Sequence, residues 1–99
     1  MRLTENQRKI ILGVVAKVCE PLAVVTLFGS RAIDDAKGGD IDLLIESKHD
    51  IAEIAQVKAR LTARLYIALD GQKIDILLLA PNVRKLPIHA IAKKNGLKL

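Results

Sequence analysis

Two aspartates near the middle of the chain have the type and spacing of ligands for a divalent cation. Asp40 and Asp42 lie one residue apart in the segment Gly39-Asp40-Ile41-Asp42-Leu43-Leu44. Because side chains alternate between the two faces of a strand, both carboxylates project from the same face. Adjacent like charges repel each other unless a cation lies between them, and hard carboxylate oxygens suit Mg²⁺ or Mn²⁺. The pair therefore predicts a metal site.

Asp75 offers a third carboxylate from a separate apolar segment. It interrupts the run Ile74 to Ala80, whose other members are all apolar. By alternation Asp75 shares its face with Leu77 and Leu79. If the two strands are neighbours in a sheet, the three aspartates converge. We therefore predict that all three bind metal and carry the catalysis.

Gly29 and Ser30 follow an apolar run and have the features of a phosphate-binding turn. Gly29 lets the backbone approach an anion closely, and Ser30 offers both its hydroxyl and its amide N–H. Arg31 either steadies a phosphate or is a surface cation, and the two interpretations have equal weight. Adjoining metal and phosphate sites suit a reaction in which metal ions polarise phosphorus and stabilise a departing pyrophosphate.

Apolar periodicity indicates the elements that would position these groups. Three helices are predicted: Thr4 to about Glu20 with a Thr4/Gln7 capping box, a second capped by Asp50 and stopped by Asp70-Gly71, and Leu86 to Asn95 with Gly96 as a left-handed cap. Three strands are predicted, at 23–28, 41–46 and 73–79. The order α-β-loop-β-α-β-α, with short connections, predicts an α/β fold in a single domain spanning residues 1–99.

Composition excludes several classes of protein. With 51% hydrophobic and 27% charged residues, the chain can build one core and is expected to be a soluble globular domain. Its single cysteine, Cys19, rules out an intrachain disulfide and a Cys/His zinc cluster. No apolar run is long enough to span a membrane and no signal peptide is evident, so we expect a cytoplasmic protein without a membrane partner.

Charge and the two histidines indicate less specific roles. The net charge of +5 suits anionic ligands, but the basic residues are scattered and only Phe28 and Tyr66 could stack on bases. Nucleic acid is therefore possible as a partner but not favoured. His49 and His89 have no partner at metal-ligand spacing, so we expect both to be surface or packing residues.

Three segments together resemble the signature of the polymerase-beta-like nucleotidyltransferase superfamily, and of its minimal nucleotidyltransferase (MNT-type) branch in particular. They are Phe28-Gly29-Ser30-Arg31-Ala32, Asp40-Ile41-Asp42-Leu43-Leu44 and Ile74-Asp75. The resemblance implies a mixed sheet with helices mainly on one face, a pair of Mg²⁺ ions held by the three aspartates, and ATP as a substrate with phosphate contacts from Gly29 and Ser30. The loop departs from the usual pattern: it is one residue short, with Asp34 in place of a common glycine and Gly39 in place of a common serine.

The resemblance also implies a partner and a reaction. Members of this branch often pair with a helical HEPN-type toxin as its antitoxin, and some transfer AMP to a tyrosine of that toxin. The alternative is a catalytically inactive antitoxin that neutralises its partner by binding alone. Transfer to RNA or to a small molecule would need an acceptor surface supplied by an added domain or partner.

The leucines that follow the aspartates suggest a docking face. Leu44, Leu77 and Leu79 continue the aspartate face of the predicted strands with apolar rather than polar side chains. An exposed apolar patch of this kind marks an interface, so we predict that a partner docks there. The alternative is that the last helix folds over these leucines.

Overall fold

Three helices and four strands make up the described part of the chain, which is residues 3–29 and 40–99 of a computed structural model. In chain order they are α1 (Glu5–Val18), β1 (Val24–Phe28), β2 (Ile41–Glu46), α2 (Ile54–Ala68), β3 (Ile74–Leu79), α3 (Pro87–Asn95) and β4 (Leu97–Lys98). The predicted α/β class is confirmed. Among these residues no helix is long and apolar enough to cross a membrane.

The strands form one mixed sheet in the order β3-β2-β1-β4. β1 runs antiparallel to both β2 and β4, whereas β2 and β3 are parallel and are joined by the crossover helix α2. The mixed sheet implied by the family resemblance is therefore confirmed. The sequence does not predict β4, because two residues are too few to show an alternating pattern.

The hydrophobic core lies between the sheet and the pair of helices α1 and α2. Ile41, Leu43 and Ile45 of β2 are fully buried there, since β2 has a neighbouring strand on each side. Leu61 and Leu65 of α2 belong to the same buried cluster, and α1 packs alongside α2. Burial of these apolar side chains is the main stabilising contribution to the domain.

The third helix packs on the opposite face of the sheet. α3 contacts β1 and β2, and Leu44 of β2 is 0% exposed. The prediction that Leu44 belongs to an exposed docking face is therefore wrong, because α3 lies over this part of the sheet. Leu77 and Leu79 of the neighbouring β3 remain partly exposed. Two of the three described helices thus share one face, as the resemblance implied.

Helix α2 begins later than the sequence predicts. Asp50 is not its cap, because the helix starts at Ile54. The Asn82 side chain accepts a hydrogen bond from the N–H of Ile51 at 3.0 Å and donates one to its carbonyl at 2.8 Å, so these backbone groups are used outside a helix. The predicted stop at Asp70-Gly71 is confirmed, with φ values of 57° and 85° in the left-handed region.

Helix α1 starts at the predicted capping box. Its Arg8 side chain also binds the backbone just after β4. The N–H of Gln7 donates to Thr4 Oγ1 and the N–H of Thr4 donates to Gln7 Oε1, both at 3.0 Å. The Arg8 guanidinium donates to the Leu99 oxygen at 3.2 Å from Nε and 2.8 Å from Nη2. The N–H of Leu99 in turn donates to the Val25 oxygen at 2.8 Å, which extends the pairing of β4 with β1.

Gly96 ends α3, but not in the left-handed conformation that the sequence suggests, since its φ is −93°. The glycine is needed for space. A Cβ atom at this position would overlap Thr26 Cγ2, and it would lie 2.6 Å from the Ala92 oxygen and 2.8 Å from the Leu27 oxygen. The chain therefore passes this close to β1 only because residue 96 has no side chain.

We expect Gly96→Ala to lower the free energy of unfolding by about 1–3 kcal/mol, the usual cost of overpacking. Gly13→Ala is the matched control, because a Cβ atom there would meet nothing within 4 Å and the residue lies inside α1. That control should gain about 0.5–1 kcal/mol from the better helix former. Urea unfolding of both variants measures the difference. Equal changes in the two variants would contradict the close approach at residue 96.

Candidate active site

The parallel pairing of β2 and β3 places two of the predicted aspartates side by side. Asp42 is the register partner of Asp75, so both side chains project from the same face of the sheet. Their carboxyl groups are close enough to share a hydrogen bond. The predicted convergence of the aspartates requires β2 and β3 to be neighbours, and they are.

The pKa of Asp42 reflects the closeness of the other acidic groups. The pKa of Asp42 is raised from its ordinary value, first by the loss of water on burial and then by the charges of Asp75 and Asp40. A hydrogen bond with Asp75 adds to the shift, because it favours the protonated form of Asp42. A divalent cation would relieve this repulsion, and hard carboxylate oxygens are the donors that Mg²⁺ prefers. The residues present therefore fit such an ion.

Asp40 lies beside this pair but also has a basic neighbour. Its Oδ2 atom is 3.7 Å from Lys73 Nζ, and the two side chains are 36% and 74% exposed, so the ion pair contributes little stability. Within residues 3–29 and 40–99, no group of three or more His, Cys, Asp or Glu side chains has the arrangement of a metal site. The structure thus brings Asp42 and Asp75 together with Asp40 nearby, and the metal assignment of all three stays a prediction.

Lys73 is a residue of the site that the sequence argument missed. The N–H of Ile41 donates to the Lys73 oxygen at 3.0 Å, so the parallel register sets Lys73 next to the residue that precedes β2. The sequence does contain an indication of this position. Lys73 directly precedes β3, just as Asp40 directly precedes β2. Using that signal requires the strand register, which the sequence does not reveal.

Gly29 directly follows β1 and lies close to the Asp42 carboxylate. Its φ of 74° lies in the left-handed region. A Cβ atom on Gly29 would overlap Asp42 Oδ2 and lie 3.2 Å from Asp42 Cγ. Glycine is therefore required both for the turn and for the space beside the carboxylate. Ser30 and Arg31, and the loop positions Asp34 and Gly39, lie outside the described residues.

An open recess of about 480 Å³ borders Asp75. Its walls are largely apolar and include Phe28 of β1, Leu77 of β3 and Ile88 of α3, with Lys58 of α2 at the side. Asp75 itself is exposed, whereas Asp42 beside it is partly buried. Asp75 therefore borders a space that could receive another molecule, with the Asp42 carboxylate on the neighbouring strand.

The histidines lie in structural positions, as the sequence analysis expects. His89 is buried, and its Nδ1 accepts a hydrogen bond from the N–H of Leu86 at 2.9 Å, which secures the start of α3. His49 is exposed, and its N–H donates to Glu20 Oε2 at 3.2 Å. Glu20 Oε2 also accepts from Ser47 Oγ at 2.5 Å, and this bond lowers the pKa of Glu20. These contacts hold the turn after β2 in place.

Comparison with known proteins gives one match. A family model for a nucleotidyltransferase domain matches residues 8–97, which is nearly the whole chain and includes every predicted site residue. The chain matches neither a curated protein nor a solved structure. The matched range also contains the recess beside Asp75.

Proposed function

Because the chain belongs to the nucleotidyltransferase domain family, we propose that it transfers the AMP group of ATP to a hydroxyl of a partner protein in a reaction that requires Mg²⁺. Family membership supports nucleotidyl transfer in general. The observation that supports a Mg²⁺-dependent reaction of a triphosphate is the Asp42–Asp75 pair, held side by side next to Gly29. Paired carboxylates beside a phosphate-binding turn are what a metal-bound triphosphate requires.

Each residue of the site has a separate task in this proposal. Asp42 and Asp75 would hold the Mg²⁺ ions with Asp40, while Gly29, Ser30 and Arg31 would position the phosphates. Bound Mg²⁺ supplies charge that polarises the phosphorus and stabilises the leaving pyrophosphate. The acceptor oxygen attacks the α-phosphorus, the bond from the α-phosphorus to the bridging oxygen breaks, and pyrophosphate departs. Asp75, which faces the recess, accepts the proton of the acceptor hydroxyl and releases it to water.

The proposed partner is a helical HEPN-type toxin, modified on a tyrosine, with the present chain as its MNT-type antitoxin. The resemblance of the three signature segments supports this partner. The recess beside Asp75 supports delivery of the acceptor by another molecule, because it is open and apolar. We place the reaction in the cytoplasm, where the free thiol of Cys19 would stay reduced.

One observation favours the alternative of an inactive antitoxin that acts by binding alone. Asp40 Oδ2 lies 3.7 Å from Lys73 Nζ, so a positive charge already neighbours one of the three carboxylates. A site that had lost catalysis could retain its acidic residues as part of a protein interface. A transfer experiment separates the two functions.

The chain is incubated with ATP, Mg²⁺ and the product of the adjacent gene, and the intact masses are then measured. We expect one AMP adduct on the partner, mapped by peptide sequencing to a tyrosine. Asp75→Asn is the control, since it should abolish the adduct while the two proteins still form a complex. If the unaltered chain forms a stable complex with the partner but adds no AMP, the transferase function is wrong and the antitoxin acts by binding alone.

A further inference from the structure

The outer side of α3 exposes large apolar side chains. Leu86, Ile88 and Ile91 are 46%, 44% and 55% exposed, whereas His89 and Ala92 of the same helix are buried against the sheet. Residues three apart lie on the same side of a helix, so Ile88 and Ile91 form one stripe. α3 is therefore apolar on a side that does not contact its own sheet.

This stripe continues into the recess beside Asp75. Ile88 lines the recess together with Leu77 and Phe28. Because α3 packs on β1 and β2, it leaves Leu77 of β3 partly exposed at the floor of the recess. We call the surface formed by Leu86, Ile88, Ile91 and Leu77 the α3 ledge. A molecule bound to the α3 ledge would therefore contact the candidate active site on the side where Asp75 is exposed.

Basic residues flank the α3 ledge along the chain and at the recess. Arg84 and Lys85 precede α3, Lys94 lies near its end, and Lys58 borders the recess, and all four are exposed. Asp75 is the one acidic residue that lines the recess among the residues described. An apolar centre with a charged rim is the usual composition of a protein-binding surface, and opposite charge on the partner would speed association.

We propose that the α3 ledge docks an acidic segment of the acceptor protein, with an apolar or aromatic side chain of that segment inserted beside Asp75. This inference rests on the proposed transfer function and adds the chemistry of the partner. A protein segment is favoured over nucleic acid because the ledge is aliphatic, whereas single-stranded nucleic acid binds through stacked aromatic side chains. The charge of the rim selects an acidic segment rather than a basic one.

The test uses a random copolymer of glutamate and tyrosine as the probe, with a copolymer of lysine and tyrosine as its charge-reversed counterpart. Binding is measured by NMR amide shifts of the labelled chain, without nucleotide. We expect the acidic copolymer to bind, with shifts confined to α3, β3 and the recess. The basic copolymer should bind at least about tenfold more weakly, as expected when charge selects the partner.

Variants then locate the binding surface. Ile91→Glu should weaken binding of the acidic copolymer at least about tenfold, the loss typical of a central interface residue. Ile67→Glu is the matched control, because Ile67 is 76% exposed on α2 and lies on the other face of the sheet. Equal binding by both variants would overturn the proposal, as would a single-stranded oligonucleotide that binds more tightly than the acidic copolymer. Since no nucleotide is present, this result is independent of whether AMP transfer occurs.

Discussion

Asp42→Asn is expected to abolish Mg²⁺-dependent binding of ATP while leaving the ligand-free domain at least as stable as before. The substitution removes one anionic ligand and also removes the repulsion from Asp75 and Asp40. Because Asp42 is partly exposed, water screens this repulsion, and the gain in stability should stay below about 1 kcal/mol. Calorimetric titration with ATP and Mg²⁺ measures the binding, and urea unfolding measures the stability.

Asp70→Asn is the control for the loss of a carboxylate. Asp70 is exposed at the end of α2 and has a φ of 57°, which asparagine also tolerates. This variant should bind ATP and Mg²⁺ like the unaltered chain. Metal-dependent binding that survives in Asp42→Asn would show that the site lies elsewhere.

Asp42→Asn should also change how the stability of the domain depends on pH. The pKa of Asp42 is raised from 3.8 in the folded chain, so folding favours the protonated carboxyl. That stabilising contribution is complete below the ordinary pKa and is lost as the pH rises through the raised value. Without Mg²⁺, the advantage of Asp42→Asn over the unaltered chain should therefore be larger at about pH 7 than at about pH 4, as thermal unfolding can measure.

Gly29→Ala is expected to weaken binding of ATP with Mg²⁺ at least about tenfold, or about 1.4 kcal/mol. The new Cβ atom would overlap Asp42 Oδ2, so either the carboxylate or the turn must move. The left-handed backbone adds a stability cost of about 1–2 kcal/mol for any residue with a Cβ atom. Both changes are measurable on one sample, by calorimetric titration and by urea unfolding.

Gly71→Ala separates the effect of the overlap with Asp42 from the effect of the left-handed backbone. Its φ of 85° resembles the 74° of Gly29, but a Cβ atom there would make only ordinary contact, at 3.6 Å from Tyr66 Oη. The Gly71 variant should therefore lose similar stability and keep its affinity for ATP. If the two variants bind ATP equally well, the closeness of Gly29 to Asp42 has no functional role.

The pairing of Asp42 with Asp75 could be predicted from sequence because it depends on local rules. Alternation along each strand sets the face of each side chain, and the apolar run around Asp75 identifies its strand. The only tertiary assumption was that the two strands are neighbours. A βαβ connection makes that arrangement common, and the structure has it.

Three features that the sequence does not predict depend on contacts between distant residues. Asn82 binds the backbone of Ile51 outside α2, although it lies 31 residues after Ile51. Gly96 is explained by its approach to Thr26 of β1 rather than by the helix that it ends. The burial of Leu44 depends on which face of the sheet α3 occupies. No local pattern contains this information, because each contact exists only after the strands have paired.

The attachment of α3 determines what kind of binding surface it can be. Immediately after the helix, Leu97 and Lys98 pair with β1, and Leu99 is hydrogen-bonded to both Val25 and Arg8. The helix therefore cannot swing away from the sheet without breaking strand pairing. A surface preorganised in this way loses little conformational entropy when a partner binds, so most of the ordering would have to occur in the partner.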